Sequence, residues 1–283
     1  MHSDDFRVLF TPGQGGLASY VYKGREYVYG NRVPQPNFWR APVDNDRGSV
    51  SPQRHAQWKI ASLYLTHKKT ANFDILIPEI GVRDGNLVTT FTHKLPTSPE
   101  AAVQVKYEVR PDGSMDVTLM HDAVPELGDC PEFGMIFVLD ADYENVRWYG
   151  RGPEETYADR KRGGRFGIWQ NKVADNMAKY LVPQECGNKE DVRWAEVTDA
   201  KGRGLRFTSL GEPMCFSALP YTPHEMENAF HAHELPPVHH TVIRVSMAQM
   251  GIGGDDSWGA RVHPEYLVET QGHMEFKFRF KGI

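Results

Sequence analysis

The sequence predicts an all-β chain that folds as a large antiparallel β-sandwich. Short segments in which apolar and polar residues alternate recur along its 283 residues, and a period of two is typical of strands buried on one face. Turn-forming runs rich in Gly, Pro and Asp separate these segments. The chain shows no regular alternation of strands with long amphipathic helices, which excludes a (β/α)8 barrel. We therefore expect one sandwich domain over residues 1–283.

The predicted elements are mostly short strands. In chain order they cover residues 7–10, 19–22, 26–29, 103–109, 115–119, 135–139, 146–149, 204–207, 242–247 and 275–280. Pro111-Asp112-Gly113 joins two of them, and this turn chemistry predicts a hairpin. One helix is expected over residues 51–65. Pro52 suits its first turn, and Trp58 and Leu65 can point inward.

Composition excludes several classes of protein. The net charge of −5 and the pI of about 6.2 give no basic surface, so we expect no nucleic-acid partner. No run approaches the roughly 18 apolar residues of a membrane span, and the N-terminus lacks the regions of a signal peptide. Cys130, Cys186 and Cys215 are odd in number and lack CxxC spacing, which argues against a disulfide framework. We expect a cytoplasmic protein, unless the chain belongs to a longer exported one.

The most informative segment is the run GIGGDDSW at residues 251–258. It follows an alternating strand, so its glycines release the backbone into a tight loop that ends on a tryptophan. An indole in such a loop can stack on the C–H face of a pyranose, while neighbouring oxygens accept hydrogen bonds from hydroxyls. The alternative is a hairpin turn whose tryptophan packs back on the sheet. The candidate substrate-binding residues are Trp258, Asp255, Asp256 and Ser257.

Four blocks of sequence carry a resemblance to a known family. They are RAPVDND at residues 40–46, GPEETYADR at 152–160, VPQECG at 182–187 and MGIGGDDSW at 250–258. In this order they resemble the last domain of the lacZ-type β-galactosidases of glycoside hydrolase family 2. In some two-chain enzymes that domain is a separate small subunit, which this sequence resembles in length and motifs.

The resemblance implies a galactose mutarotase-like supersandwich and a part in hydrolysing terminal β-D-galactosides such as lactose. In the family both catalytic carboxylates lie in a (β/α)8 barrel, so the partner would be a barrel-containing large subunit or the N-terminal domains of the same enzyme. Mg²⁺ and a monovalent cation would also bind elsewhere. This chain would supply no catalytic residue and no metal ligand, and would be inactive in isolation. Its contribution would be Trp258, which resembles the tryptophan that the last domain places in the galactoside pocket.

Three further carboxylates are weaker candidates for binding. Asp44 and Asp46 could ligate a cation or sugar hydroxyls, but we favour a turn in which Arg40 pairs with one of them. Glu185 interrupts a β-like stretch and could present its carboxylate on a concave face.

The adjacent pair Glu154-Glu155 invites a catalytic interpretation. Neighbouring side chains on an extended chain point to opposite faces, so the two cannot flank one glycosidic bond. We expect this block to form a rigid, hydrogen-bonded loop instead.

Histidines cluster near the C-terminal third of the chain. His231 and His233 are two residues apart, which on a strand would put both imidazoles on one face at a spacing that can chelate metal. His224, His239 and His240 lie near them. Because no cysteine or carboxylate falls in a recognisable zinc pattern and Pro236-Pro237 breaks the strand, we favour a solvated or interface loop.

Two other functions remain open from the residues. A free-standing aldose 1-epimerase on the same fold would need Glu185 and a histidine acid across a sugar on the concave face. A carbohydrate-binding module would need only the tryptophan platform. Activity on a β-galactoside that appears only after mixing with a barrel-containing chain would favour the β-galactosidase hypothesis over the epimerase and the binding module.

Overall fold

The computed structural model describes residues 1–65, 78–256, 258–269 and 271–283, and strands make up most of its regular structure. The strands are β1 (Phe6–Thr11), β2 (Gly16–Tyr22), β3 (Arg25–Glu26), β4 (Gln35–Asn37), β5 (Glu79–Arg83), β6 (Asn86–Leu95), β7 (Ala101–Val109), β8 (Met115–Asp122), β9 (Glu132–Asp140), β10 (Asn145–Gly152), β11 (Arg165–Lys172), β12 (Lys189–Val192), β13 (Trp194–Thr198), β14 (Gly204–Ser209), β15 (Met214–Leu219), β16 (His240–Gln249) and β17 (His273–Gly282). The α-helices are α1 (Asp44–Gly48), α2 (Ser51–Arg54), α3 (Ala56–Leu63) and α4 (Pro223–Glu227). Short 3-10 helices cover Tyr29–Asn31, Pro125–Leu127, Val173–Asn176, Ala232–Glu234 and Pro264–Tyr266. Within the described ranges, no helix combines the length and the hydrophobicity that crossing a bilayer requires.

The strands form three sheets. The largest has the order β11-β10-β13-β14-β17-β8-β7-β6-β5, the second β12-β15-β16-β9-β4 and the third β1-β2-β3. Neighbouring strands in the described sheets pair antiparallel. The all-β prediction is therefore confirmed, and the predicted hairpin is the β7-β8 pair.

The nine-stranded and five-stranded sheets pack against each other around an aromatic core. Phe137 of β9 lies between them, with its ring centroid 5.2 Å from that of Phe207 in β14 and 5.4 Å from that of Phe280 in β17. All three rings are buried, and full burial of such a side chain contributes about 1.5–3 kcal/mol. Contact between the inner faces of two antiparallel sheets defines a sandwich, so this part of the prediction is also confirmed.

The small sheet is joined to the sandwich through Tyr20 of β2. Its hydroxyl donates a hydrogen bond to the carbonyl oxygen of Gly113 at 2.7 Å and accepts one from the N–H of Gly282 at 3.0 Å. Gly113 has a φ of 77° in the turn between β7 and β8, a conformation that glycine adopts without steric cost. The Asp112 carboxylate accepts the N–H of Ser114 at 3.0 Å. The predicted Pro-Asp-Gly turn is thus confirmed. Its Gly113 carbonyl oxygen binds Tyr20 and so connects the three-stranded sheet to the sandwich.

Most predicted strands are longer in the structure than predicted, whereas one strand is shortened and the helix is divided. The strand expected over residues 26–29 ends at Glu26. The N–H of Tyr27 still donates to the carbonyl oxygen of Tyr20 at 3.0 Å, but the N–H of Val28 donates to the Glu26 carboxylate at 2.9 Å, a local hydrogen bond that competes with strand pairing. The helix expected over 51–65 is divided into α2 and α3. Trp58 and Leu65 are buried as predicted.

Strand β16 is buried on both faces, because its second face carries a buried ionic cluster. Arg244 of β16 donates hydrogen bonds to Glu132 of β9 at 2.8 Å and to Glu185, and its Nε donates to Ser217 of β15 at 3.1 Å. Arg244, Glu132 and Glu185, called here the Arg244 cluster, are each at most 1% exposed. Burial raises the pKa of Glu132 to about 7, and the Arg244 guanidinium opposes that shift. The cluster holds the loop that carries Glu185 against the sheet.

We expect Arg244→Met to reduce the free energy of unfolding by about 3–5 kcal/mol, because it leaves two buried carboxylates without their cation. Urea unfolding at pH 8 measures this loss, which should shrink at pH 5, because burial raises the pKa of Glu132 and this carboxyl is then protonated in the folded chain. The matched control is Arg83→Met, since Arg83 forms an exposed ion pair with Asp84 at 3.9 Å and should lose less than about 1 kcal/mol. Equal losses in both variants would contradict a stabilising role for the Arg244 cluster.

Candidate functional site

The candidate site is built on the loop of residues 250–258, called here the Trp258 loop, which follows β16. The buried guanidinium of Arg40 donates hydrogen bonds to the carbonyl oxygens of Met250 and Gly251. The same guanidinium contacts both carboxylate oxygens of Asp46 at 3.1 Å. The favoured interpretation of the 40–46 block, a turn with an ion pair to Arg40, is confirmed.

Two more side chains hold the glycines of this loop. Asn45 donates to the carbonyl oxygen of Ile252 at 3.1 Å, and the Asp159 carboxylate accepts the N–H of Gly253 at 2.7 Å. A Cβ atom at Gly251 would lie 2.6 Å from the Asp159 carboxylate. A side chain at position 251 would therefore displace the Asp159 carboxylate, which accepts the N–H of Gly253.

The 182–187 block is tied to the 40–46 block by paired hydrogen bonds. The N–H of Asp44 donates to the Gln184 side chain at 3.1 Å, and the Gln184 amide donates to the Asp44 carboxylate at 3.1 Å. The N–H of Glu185 donates to the carbonyl oxygen of Ala41 at 3.2 Å. All four motif blocks thus meet in one hydrogen-bonded junction beneath the Trp258 loop.

The 152–160 block contributes Glu155 and Tyr157 to the same junction. The Glu155 carboxylate accepts the N–H of Gly187 at 2.7 Å and a hydrogen bond from Arg160. The Tyr157 hydroxyl lies 3.4 Å from the Glu185 carboxylate. The prediction of a hydrogen-bonded loop around Glu154-Glu155 is confirmed for Glu155.

Trp258 projects from this support into solvent, with 86% of its surface exposed. A carboxylate oxygen of Asp256 accepts the N–H groups of Trp258, Gly259 and Ala260 at 2.8, 3.0 and 3.1 Å. These hydrogen bonds, led by the one from Trp258, lower the pKa of Asp256. The alternative in which the indole packs back on the sheet is therefore wrong, because its backbone is held in a turn that directs it outward.

The other predicted residues of the loop have different positions. The exposed Asp255 carboxylate pairs with His263 at 2.8 Å and raises the pKa of that imidazole. Ser257 lies outside the described residues. An exposed indole beside carboxylate oxygens can bind the apolar face and the hydroxyls of a sugar.

The weaker carboxylate candidates are mostly withdrawn from solvent. Asp46 is buried against Arg40, and Glu185 is buried against Arg244. The expectation that Glu185 presents an accessible carboxylate is wrong. The loop that carries Glu185 packs on the second face of the five-stranded sheet, where the carboxylate contacts Arg244. Asp44 is exposed and lies 3.5 Å from Arg47.

His231 and His233 do not lie on a strand, so the strand spacing considered for this pair does not apply. His231 precedes the 3-10 helix Ala232–Glu234 and His233 lies within it. His240 begins β16, where it is buried between Glu225 and Arg32 at 3.2 Å from each.

Sequence reasoning missed two residues that position the loop. Arg40 was predicted to pair with a carboxylate, but its contacts with the loop carbonyls were not foreseen. Asp159 was not singled out, although it lies in one of the four blocks. The four blocks occur in the same order as in the family that the sequence resembles. This shared order was the one indication in the sequence that the blocks act together.

Comparison with known proteins gives consistent results for family and fold. The family model described as "Beta galactosidase small chain" matches residues 2–280. A β-galactosidase of Halalkalibacterium halodurans is 41% identical over 289 aligned residues, covering 100% of this chain and 27% of that protein. A β-galactosidase small subunit of Latilactobacillus sakei is 33% identical, covering 98% of this chain and 93% of that protein.

The solved structure of a galactose 1-epimerase from Lactobacillus acidophilus aligns with a TM-score of 0.51 at 7% identity, covering 100% of this chain and 92% of the other. That similarity concerns the fold alone, and it confirms the predicted galactose mutarotase-like sandwich. The chain spans about a quarter of the length of most of the β-galactosidases it matches, 27% for the Halalkalibacterium halodurans protein.

The family model matches residues 2–280, which include all four sequence blocks beneath Trp258. This chain belongs to the family of β-galactosidase small chains.

Proposed function

We propose that this chain completes the galactoside site of a β-galactosidase by placing Trp258 against the substrate. The catalytic carboxylates lie on a barrel-containing large subunit or on the N-terminal domains of the same enzyme, which hydrolyses terminal β-D-galactosides such as lactose. The observation that carries this proposal is the 86% exposure of Trp258 on a loop whose backbone is held by the buried Arg40 and the half-buried Asp159. A large apolar ring held outward by a rigid support is suited to contact a ligand.

The chemistry of the loop supports binding rather than bond cleavage. A retaining glycosidase needs an acid and a nucleophile about 5–5.5 Å apart. Here the Asp256 carboxylate already accepts three backbone hydrogen bonds, and Asp255 is paired with His263. We therefore assign Asp256 to support of the Trp258 backbone, and we propose Asp255 and Ser257 for contacts with sugar hydroxyls.

The epimerase alternative has less support. It needs an accessible glutamate facing a histidine, whereas Glu185 is buried and faces Arg244. Loss of an accessible carboxylate removes the base that the reaction requires. A carbohydrate-binding module remains the second candidate, since it requires only the exposed indole.

The same contacts bear on cations and location. Because the carboxylates beneath the loop are occupied by Arg40, Arg244 and backbone N–H groups, we place Mg²⁺ and the monovalent cation of the complete enzyme on the partner.

The three cysteines are free and buried, which supports our proposal of a reducing, cytoplasmic location.

The purified chain should not hydrolyse a chromogenic β-galactoside by itself, and activity should appear on mixing with a barrel-containing large subunit. The reason is that the catalytic pair would come from the partner. Steady-state assays of each chain and of the mixture measure this, with a galactose mutarotation assay run in parallel. Hydrolysis by this chain alone that is abolished by changing one of its own carboxylates would contradict the proposal.

In the assembled enzyme, Trp258→Ala should weaken galactoside binding by about 1–3 kcal/mol, the range for losing a good aromatic contact. Since Trp258 transfers no proton, the effect should appear mainly in KM, and urea unfolding of the isolated chain should be unchanged. Trp194→Phe is the control, because Trp194 lies on β13 outside the Trp258 loop. A Trp258→Ala chain that unfolds but leaves the affinity of the surviving complex intact would make Trp258 a packing residue.

Asp159→Ala should raise KM about fivefold, because the loop loses the hydrogen bond that holds Gly253, a loss of about 1 kcal/mol. Asp159→Asn keeps an acceptor oxygen and should restore most of the affinity. In a Trp258→Ala background, Asp159→Ala should add no further rise, since Asp159 acts through the tryptophan. Additive effects in the double variant would show that Asp159 does not position Trp258.

A further inference from the structure

We propose that His231, His233 and Glu234, called here the His231 site, bind a divalent transition-metal ion of the zinc class. This site goes beyond the proposed function, because it is formed by a segment that none of the four motif blocks contains. It does not depend on galactoside binding.

The geometry brings three ligand atoms together. One ligand atom from each residue lies within 4.8 Å of the other two. The Nδ1 atom of His231 is 3.1 Å from a carboxylate oxygen of Glu234, and the two imidazole rings stack with centroids 5.3 Å apart. Zinc binds imidazole nitrogen and carboxylate oxygen at about 2.0–2.2 Å in a tetrahedral arrangement, which puts ligand atoms of one ion about 3.4 Å apart. The three side chains are exposed, so their rotamers can change to bring ligand atoms that now lie within 4.8 Å of one another to this separation.

The carboxylate is already oriented for this role. One oxygen of Glu234 accepts the N–H groups of Phe230 and His231 at 2.7 and 3.2 Å, which leaves the other oxygen beside the His231 ring. The 3-10 turn, with the Glu234 N–H donating to the His231 carbonyl at 3.0 Å, fixes the spacing of all three residues. Two nitrogens, one anionic oxygen and open solvent provide three ligands and room for a water molecule.

A second group of possible ligands nearby has a different environment. Glu225, His239 and His240 also lie within 4.8 Å of one another. However, a guanidinium nitrogen of Arg32 is 3.2 Å from His240, and its positive charge opposes a dication. The Glu225 carboxylate also accepts the N–H and the hydroxyl of Thr222 at 2.7 and 2.9 Å. This group therefore stabilises the start of α4, and it provides a matched control.

The test is calorimetric titration of the full chain, without a histidine tag, with zinc chloride, and titration with Co²⁺ as a spectroscopic probe. We expect one ion per chain, visible absorption bands from bound Co²⁺, and at least about tenfold weaker binding in His231→Ala and in His233→Ala. Glu234→Gln should weaken binding because it removes the anionic ligand. His239→Ala should bind as the unchanged chain does.

The outcomes are decisive in both directions. A chain that binds no zinc, or whose binding survives His233→Ala, would overturn the proposal. Loss of binding in His239→Ala alone would place the ion at the second group and would also overturn it. These measurements use no galactoside, so they are independent of whether the chain completes a β-galactosidase. Urea unfolding of each variant checks that the exposed substitutions leave the fold intact.

Discussion

The arrangement of this molecule depends on the buried contact between Arg244 and the carboxylates of Glu132 and Glu185. A sandwich needs only one apolar face per sheet, yet β16 is buried on both. On the second face of the five-stranded sheet, Arg244 pairs with the carboxylate of the loop that carries Glu185. This loop can therefore cover the sheet without leaving an unpaired buried charge. Because Glu185 is fixed there, the neighbouring Gln184 is held where it exchanges hydrogen bonds with Asp44. Arg40, in the same block as Asp44, then holds the Trp258 loop.

This chain of contacts explains how a solvent-exposed tryptophan can have a defined position. A loop tip normally loses conformational order because few contacts hold it. Here the carbonyl oxygens of Met250, Gly251 and Ile252 and the N–H of Gly253 are all bonded to side chains of other segments. The entropic cost of ordering the loop is therefore met during folding of the chain, before any ligand binds. Preorganisation of this kind suits a residue that contributes binding but no chemistry.

Acidic side chains in the junction show why carboxylates in a sequence are weak indicators of catalysis. Asp46, Glu155, Asp159 and Glu185 all lie in the four blocks, and each is used to hold a guanidinium or a backbone N–H. Such residues carry the structure of the loop rather than the reaction. The His231 site differs, because its three side chains are exposed and their ligand atoms lie within 4.8 Å of one another.

The sequence by itself determined the sheet-rich architecture, the hairpin turn at residues 111–113 and the location of an indole in a glycine-rich loop. These depend on local periodicity and on turn chemistry, which neighbouring residues encode. Only the tertiary structure decided that Trp258 points outward, that Glu185 is buried and that Asp159 supports the loop. The partners concerned are far apart in the chain, 94 residues for Asp159 and Gly253 and 211 for Arg40 and Gly251. Likewise His231, His233 and Glu234 come together because the segment turns as a 3-10 helix, whereas a period-two interpretation would have placed only the two histidines on one face. Alternation of residue types specifies which face of an element is buried, but the burial and pairing of a charge depend on which distant segment folds over it.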